Sequence, residues 1–398
     1  MFGERKETMK FFHLSDLHIG LKLINRDLRE DQEYILQQIT DLAVQEQPDA
    51  VVIAGDIYDK AVPSAEAVEV FDHFIAGLTA ALPDTAVMLI SGNHDSGPRV
   101  NCFRSVLSRQ NVYMIGLPPV SPGEHIEKVV LSDEYGRVNF YLLPFVRPSM
   151  VRQITGSDEN GNVLSYNETL RRLLAREELD LTERNVLVSH QFYLPSGRDA
   201  AEVERMDSEI CTVGNIDRVD ADILKPFDYC ALGHIHKPMQ AGSEFCRYCG
   251  TPLSCSVSEA GQQKGIIMVD LEEKGSRNVT VLPLHPLRQV RVIRGNLEEV
   301  LKQGCEDYVT AVLTDRTDLD VSDMQDRIRN AFPNLLEIRR EAVRENNYTS
   351  EVLPREELDP FELCRSFLQL NEEENEEDRD EMELLRDVIN TVQGVSQE

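Results

Sequence analysis

The sequence predicts an α/β protein made of layered strands and helices, and two features of the chain carry this prediction. The first is a set of apolar runs of strand length: KFFHLS, DAVVIAGD, AVMLISGN, NVLVSH, YCALGH and GIIMVDL. The second is a pair of helix-length segments, Arg29 to Gln45 and Ser64 to Ala81, whose apolar residues recur every three or four positions. Strands that are apolar throughout are typical of sheets covered on both faces, so we expect a buried sheet between layers.

The chain is long enough for more than one domain. Its 398 residues exceed the roughly 250–300 residues at which a single core stops growing. We predict an N-terminal extension at 1–8 and a large domain at 9–285. Residues 286–345 change to a β-α-β-α-β pattern, which predicts a small α+β domain. A polar linker and two amphipathic helical segments are predicted for 346–398.

Composition excludes several function classes. The net charge of −29 argues against a general polyanion-binding surface, so any nucleic-acid binding must depend on a local positive field. No run approaches the ~18 apolar residues of a membrane span, and we expect a soluble, cytoplasmic protein without membrane association. Cys246 and Cys249 form the one CxxC, but no second ligand pair accompanies them, so we interpret them as strand cysteines and not as a zinc site.

Polar side chains follow five of the predicted strands. Because the carboxyl ends of strands form the ligand crevice of α/β sheets, we expect these side chains to lie together. Their oxygens and imidazole nitrogens suit manganese, iron or zinc, and the set is too large for one ion. Two divalent ions about 3.5–4 Å apart would use all of it. The set consists of Asp16, His18, Asp56, Asn93, His94, His190, His234 and His236.

The motifs that contain these residues together resemble the calcineurin-like metallophosphoesterase family. DLHIG, GDIYD, GNHD, SH and GHIHKP occur in the order of the family signature. The longer stretches FFHLSDLHIGLKL and CRYCGTPLSCSVSE are similar to the DNA nucleases of the family, and the likeness extends from Met9 to the C-terminus. The resemblance implies a layered β-sandwich flanked by helices, with a small capping domain and a helical tail.

The resemblance also implies a role for each motif residue. His94 corresponds to the catalytic histidine, and we expect Asp95 to orient it by a hydrogen bond. The expected cofactors are two divalent ions, with Mn²⁺ as the expected metal. The first ion would be bound by Asp16, His18, Asp56 and His236, and the second by Asp56, Asn93, His190 and His234, with Asp56 as the bridge.

The implied activity is hydrolysis of DNA phosphodiesters by a dimetal-activated water. It would comprise 3′–5′ double-strand exonuclease and single-strand or hairpin endonuclease reactions, in repair, recombination and replication. The implied partners are DNA and a coiled-coil ATPase, with a homodimer inside a heterotetramer. The small domain offers candidate contacts to DNA phosphates, with a solvated charged edge as the alternative: Arg288, Arg291, Arg294, Arg339 and Arg340.

Two short apolar stripes in the tail are predicted to dock on the ATPase. They run from Phe361 to Leu368 and from Met382 to Val392, and packing onto the chain's own large domain is the alternative.

Two other functions also stay open. Metal ligands do not define a substrate, so a stand-alone phosphodiesterase or phosphatase would carry the same set. A mainly structural DNA clamp is the other, although the intact ligand set argues against it.

Overall fold

The structure is a computed structural model that describes residues 8–197, 206–207, 209, 217–315 and 321–341, all within one compact unit. The strands are β1 Met9–Leu14, β2 Lys22–Leu23, β3 Arg26–Asp27, β4 Ala50–Ala54, β5 Ala86–Ile90, β6 Val112–Ile115, β7 Glu127–Asp133, β8 Gly136–Leu143, β9 Arg184–His190, β10 Phe192–Leu194, β11 Arg218–Asp220, β12 Tyr229–Gly233, β13 Met239–Ala241, β14 Ser243–Tyr248, β15 Gly265–Leu271, β16 Arg277–Pro283, β17 Val290–Gly295, β18 Tyr308–Leu313 and β19 Leu335–Arg340. The helices are α1 Arg29–Glu46, α2 Ala65–Ala81, α3 Gly97–Val100, α4 Arg104–Leu107, α5 Arg152–Thr155, α6 Tyr166–Ala175, α7 Leu297–Leu301 and α8 Val321–Ala331.

Two six-stranded sheets packed face to face form the centre of the molecule. The first has the order β16-β15-β1-β4-β5-β6, and β1, β4, β5 and β6 run parallel. The second has the order β13-β14-β12-β9-β8-β7, and β14, β12, β9 and β8 run parallel. Helices cover the outer faces, which confirms the predicted layered β-sandwich.

Alternation of side chains along the strands explains why the apolar runs are continuous. On β4, Val52 joins the core between the sheets, whereas Val51 and Ile53 contribute to the core beneath the helices. Phe11 of β1 lies in the inner core, with its ring centroid 5.3 Å from that of Phe140 on the second sheet. Both faces of these strands are therefore buried, and both need apolar residues.

The two predicted helices cover the first sheet. The hydroxyl of Ser64 caps α2 by accepting a hydrogen bond from the backbone N–H of Ala67. Ile39 of α1 and Phe74 of α2 are buried against the strands, and Leu170 of α6 is buried against the second sheet. Among the described residues, none of the helices combines the length and apolar character that a membrane crossing requires.

The predicted β-α-β-α-β pattern is confirmed as a third sheet. Strands β17, β18 and β19 run parallel in that order, and Val309 and Ile328 belong to the core of this unit. Helix α7 begins after Asn296, whose side chain forms a capping box with Glu299. The predicted linker and tail helices of 346–398 lie outside the described residues.

One buried carboxylate links this small unit to helix α1. Asp31 Oδ2 accepts hydrogen bonds of 2.7 Å from both Arg288 Nη1 and the Tyr308 hydroxyl. The same guanidinium donates to the exposed carboxylate of Glu30 at 2.6 Å. Arg288, predicted to contact DNA, is therefore part of the junction between α1 and the small sheet.

We expect the substitution Asp31→Ala to lower the free energy of unfolding by about 1–3 kcal/mol, because it leaves the buried Tyr308 hydroxyl without an acceptor and removes one of the two carboxylate partners of the partly buried Arg288. The matched control Glu30→Ala removes the exposed partner of the same arginine and should cost less than about 1 kcal/mol. Denaturant titrations of both variants measure the difference. Equal losses would contradict a special role for the buried carboxylate.

Candidate metal centre

The predicted ligand residues follow strands that end at one edge of the sandwich. Asp16 and Asp56 lie two positions beyond the ends of β1 and β4, and Asn93 lies three beyond β5. His190 is the last residue of β9, and His234 directly follows β12. Parallel pairing of β1, β4 and β5, and of β9 and β12, brings these ends to the same edge.

The backbone is strained at four of these positions. Asp16, His18, Asp56 and His234 have φ values of 53°, 42°, 49° and 100°, in the region that normally favours glycine. Such conformations cost about 1–3 kcal/mol each and persist only where the surrounding structure holds them. Because four such residues lie at this edge, the placement of their side chains outweighs the conformational cost to the backbone.

Asp16, His18 and His236 form the first cluster, with Asp56 at its border. The Nε2 atoms of His18 and His236 are 3.0 Å apart, and His18 Nε2 is 3.8 Å from Asp56 Oδ2. Ligand atoms of Asp16, His18 and His236 all lie within 4.8 Å of one another, and all three side chains are buried. This is the set expected to bind the first ion.

Asp56, Asn93, His190 and His234 form the second cluster. Asn93 Oδ1 is 3.0 Å from His190 Nε2 and 2.8 Å from His234 Nδ1, and Asp56 Oδ2 is 3.3 Å from His190 Nε2. His190 Nδ1 lies 2.7 Å from the carbonyl oxygen of Ala54, where it can donate, so Nε2 is the nitrogen presented to the cluster. The Asp56 carboxylate lies close to both clusters, which is the position that the predicted bridge needs.

The charges in the site fit bound divalent cations. Burial disfavours the charged form of His190, but the Asp56 carboxylate outweighs this and raises the pKa of His190 to about 9. Burial would also raise the pKa of Asp56, yet His190 and His18 hold it well below its usual range. His18 Nδ1 is buried and has no hydrogen-bond partner among the described residues. The carboxylates thus require nearby positive charge, and the imidazoles converge on the places where ions would supply it.

His94 lies at the mouth of this crevice. Its ring Nδ1 is 3.0 Å from the carbonyl oxygen of Asp59, and its Nε2 is 4.0 Å from Asp56 Oδ2. The backbone N–H of His94 donates to Asp56 Oδ1 at 2.9 Å. The side chain is 15% exposed, whereas those of His18 and His190 are almost completely buried. His94 can therefore reach a bound substrate from the rim.

Asp95 has contacts that differ from the predicted hydrogen bond to His94. Its carboxylate accepts hydrogen bonds from the backbone N–H groups of Ile57, Tyr58 and Gly92, at 2.9–3.0 Å. Burial and the neighbouring Asp56 charge raise its pKa to about 6. Asp95 thus joins the two loops that carry Asp56 and His94. Its buried carboxylate needs hydrogen-bond donors, and the backbone N–H groups of these loops provide them.

A groove of about 500 Å³ adjoins the first cluster and reaches the small unit. Its lining includes His18 and Asp59 at one side, and Glu337 and Arg339 of β19 at the other. Of the five candidate DNA contacts, Arg339 is among the residues that line this groove, and its guanidinium also pairs with Glu337 at 2.5 Å.

The other candidate arginines face acidic or sulfur partners. Arg291 pairs with Asp307 at 3.5 Å, and Arg294 with Glu341 at 2.5 Å. Because Arg291 and Arg294 are three positions apart on β17, their side chains leave opposite faces of the sheet. Arg340 donates to the sulfur of Met324 at 3.9 Å. A role for them in DNA binding stays a prediction.

The CxxC cysteines point into different parts of the core. Cys246 pairs in register with Cys230 across β14 and β12, in the core beneath the second sheet. Cys249 belongs to the core between the sheets, with its sulfur 3.0 Å from the Ser15 hydroxyl. Cys246 lies in β14 and Cys249 directly follows it, so the two are separate core cysteines, although only Cys246 is in a strand.

Two residues near the ligands were missed in the sequence. Asp59 holds His94 through a backbone carbonyl, which no side-chain pattern can reveal. Glu259 is fully buried with its Oε1 atom 3.6 Å from His236 Nδ1. It is the last residue of the stretch CRYCGTPLSCSVSE, and it lies 23 positions after His236 and outside the five short motifs. The stretch carried the family resemblance, but the burial of the Glu259 carboxylate beside His236 is what identifies its position at the site.

Comparison with known proteins agrees with this arrangement. Residues 9–238 match the family model described as calcineurin-like phosphoesterase, and residues 285–372 match one described as type 5 capsule protein repressor C-terminal domain. The SbcD subunit of the SbcCD nuclease from Staphylococcus epidermidis is 30% identical over 335 residues, which cover 82% of this chain and 84% of that protein. Its counterpart of the same name from Staphylococcus saprophyticus is 30% identical over 340 residues, with the same coverage. The phosphoesterase model matches more than half of the chain and the likeness to these two proteins covers most of it, and the chain therefore belongs to the SbcD family of calcineurin-like phosphoesterases.

Proposed function

We propose that the chain is the metal-dependent nuclease subunit of a complex with an SbcC-type coiled-coil ATPase, and that it hydrolyses phosphodiester bonds of DNA in the cytoplasm. The observation that carries the proposal is the buried Asp56 carboxylate, which lies 3.3 Å from His190 Nε2 in one cluster and 3.8 Å from His18 Nε2 in the other. An oxygen and nitrogen donor set on both sides of one carboxylate suits a pair of Mn²⁺ ions.

The ligands of the first ion would be Asp16, His18, Asp56 and His236, and those of the second would be Asp56, Asn93, His190 and His234. When bound, such ions supply positive charge that stabilises the phosphate oxygens and lowers the pKa of water. The chain's own contribution is to exclude bulk water from the ligands, all of which except Asn93 are buried.

His94 would handle the proton of the leaving group. With its Nδ1–H donated to the Asp59 carbonyl, the Nε2 atom is the one left for the substrate, and it lies 4.0 Å from Asp56 Oδ2. A proton held there can pass to the leaving sugar oxygen as the bond to phosphorus breaks. Asp95 would support this geometry by holding the backbone on either side of the crevice.

DNA would be held by its phosphates along the groove between the metal centre and the small unit. Arg339 lines this groove, and its side chain is 57% exposed, which leaves it free to exchange Glu337 for a phosphate. The groove also contains Asp59 and Asp207, so metal charge is needed to offset their repulsion of the backbone.

Replacing Asp56 with Ala should abolish the binding of two ions, because both clusters share this carboxylate. The control His18→Ala removes a ligand of the first cluster alone and should weaken one site by more than the about 10- to 100-fold that is typical for loss of an outer-shell partner. Titration calorimetry of metal-free protein with Mn²⁺ measures both stoichiometries. Two ions bound by the Asp56 variant would contradict the bridge.

Replacing His94 with Gln should lower the rate of DNA hydrolysis by about 100-fold while Mn²⁺ content and DNA affinity stay near those of the parent. His125→Gln is a suitable control, because that side chain is exposed and pairs with Glu177 outside both clusters. Steady-state rates and metal analysis of the two variants provide the measurement. Loss of metal in the His94 variant would show that the residue is a ligand.

Deleting residues 351–398 should show whether the chain acts as a nuclease subunit or as a stand-alone phosphodiesterase. Manganese content, thermal stability and hydrolysis of a small phosphodiester should persist, because every proposed ligand precedes Lys237. ATP-stimulated digestion of duplex DNA with the ATPase should fall sharply, since the two proteins would no longer be held together.

The double substitution Phe361→Ser with Phe367→Ser tests docking by the first apolar stripe of the tail, Phe361 to Leu368, without shortening the chain. Light scattering of the parent protein, alone and with the ATPase, would establish whether the proposed homodimer forms within a heterotetramer. A truncated chain that unfolds or loses metal would show that the tail belongs to the protein's own core. Undiminished stimulation by the ATPase would equally reject tail docking.

A further inference from the structure

His236 presents its two ring nitrogens to different surroundings. Nε2 lies 3.0 Å from His18 Nε2, inside the first ligand cluster. Nδ1 lies on the other side of the ring, 3.6 Å from Glu259 Oε1. The distance is longer than a hydrogen bond, but such contacts often tighten only when the site is loaded. His190 differs, since its Nδ1 is 2.7 Å from the neutral carbonyl oxygen of Ala54.

The Glu259 carboxylate is fixed by several donors. Lys264 Nζ and the Thr251 hydroxyl donate to Oε2 at 2.5 Å and 2.9 Å. The backbone N–H of Cys255 and the Ser256 hydroxyl donate to Oε1 at 3.2 Å and 3.1 Å. The carboxylate therefore has little freedom to rotate away from His236.

Stability alone is a poor explanation for this buried pair. Glu259 is fully buried and Lys264 is 5% exposed, and the cost of removing two such charges from water is commonly as large as their mutual attraction. An apolar pair of similar volume would often be as stable. A charged acceptor at this place, directly behind a ligand nitrogen, has a function that an apolar pair lacks.

We propose that Glu259, held by Lys264, is a positioning residue that orients His236 and strengthens it as a ligand of the first ion. A carboxylate that accepts a hydrogen bond from the outer nitrogen of a ligand histidine fixes the tautomer and the ring direction, and loss of such a partner typically weakens metal binding by about 10- to 100-fold. The inference depends on the proposed function, because it assumes that His236 binds an ion.

The double substitution Glu259→Gln with Lys264→Met tests the inference, because it removes both charges together and leaves neither buried alone. Calorimetric titration of metal-free protein with Mn²⁺ should show one of the two sites weakened about 10- to 100-fold and the other unchanged. The melting temperature of the metal-free variant should stay close to that of the parent. A merely structural pair would move that temperature and leave the ratio of the two affinities unchanged.

A matched control is the buried pair of Asp133 and Arg184, whose side chains are likewise almost fully buried. Arg184 begins β9 and His190 ends it, which places this pair about 20 Å from the ligands at the usual rise per residue. Asp133→Asn with Arg184→Met should therefore leave both Mn²⁺ affinities unchanged.

Glu259→Asp is the second variant, and it decides the matter if the double variant does not fold. It keeps the charge but withdraws the carboxylate from His236 by one methylene, so the same site should again weaken. Parent-like affinity for both ions in Glu259→Asp, or in a folded double variant, would overturn the inference. A parent protein that fails to bind two Mn²⁺ ions would instead contradict the proposed metal centre itself.

Discussion

The buried carboxylate of Asp56 is the constraint on which the rest of the site depends. Removing a carboxylate from water costs roughly several kcal/mol of desolvation free energy unless positive charge and hydrogen-bond donors surround it. His190 at 3.3 Å, His18 at 3.8 Å and the backbone N–H of His94 at 2.9 Å meet this need within the chain. The same arrangement places donor atoms on both sides of one carboxylate, which is what a pair of cations requires.

The sandwich makes this concentration of charge and backbone strain possible. Beneath the ligands, the His13 ring joins the two sheets through contacts of 3.0 Å to the Tyr229 hydroxyl and 3.2 Å to the Leu232 carbonyl oxygen. Burial lowers the pKa of His13 to about 3, so this ring stays neutral and serves as a hydrogen-bonding link. A core closed on both sides can hold left-handed backbone at Asp16 and Asp56, because a shift of either strand would disturb packing in both layers.

The chain is acidic, yet it can bind its proposed substrate, because electrostatic interactions act only over short distances in salt solution. A net charge of −29 repels a phosphate backbone at a distance, but the Debye length at physiological ionic strength is about 8 Å. Within that range the proposed metal ions and Arg339 would have to outweigh the charges of Asp59, Asp207 and Glu337, which line the same groove. The acidic partners of Arg291 and Arg294 would then restrict binding to the part of the surface next to the ligands.

The sequence by itself determined six of the buried strands, the two long helices and the polar residues that meet at one edge of the sheets, because these depend on local patterns: apolar runs, helical periodicity, and polar residues placed directly after strands. The boundaries of β4 and α2 follow from such patterns almost to the residue. Only the tertiary structure decided how the partners of those ligands are arranged. Asp95 binds backbone amides instead of His94, Arg288 belongs to the junction with Asp31, and Glu259 lies behind His236. Each of these contacts joins segments that are distant in the chain or uses a backbone group. Local sequence patterns do not reveal such contacts, because they do not show which distant atoms folding will bring together.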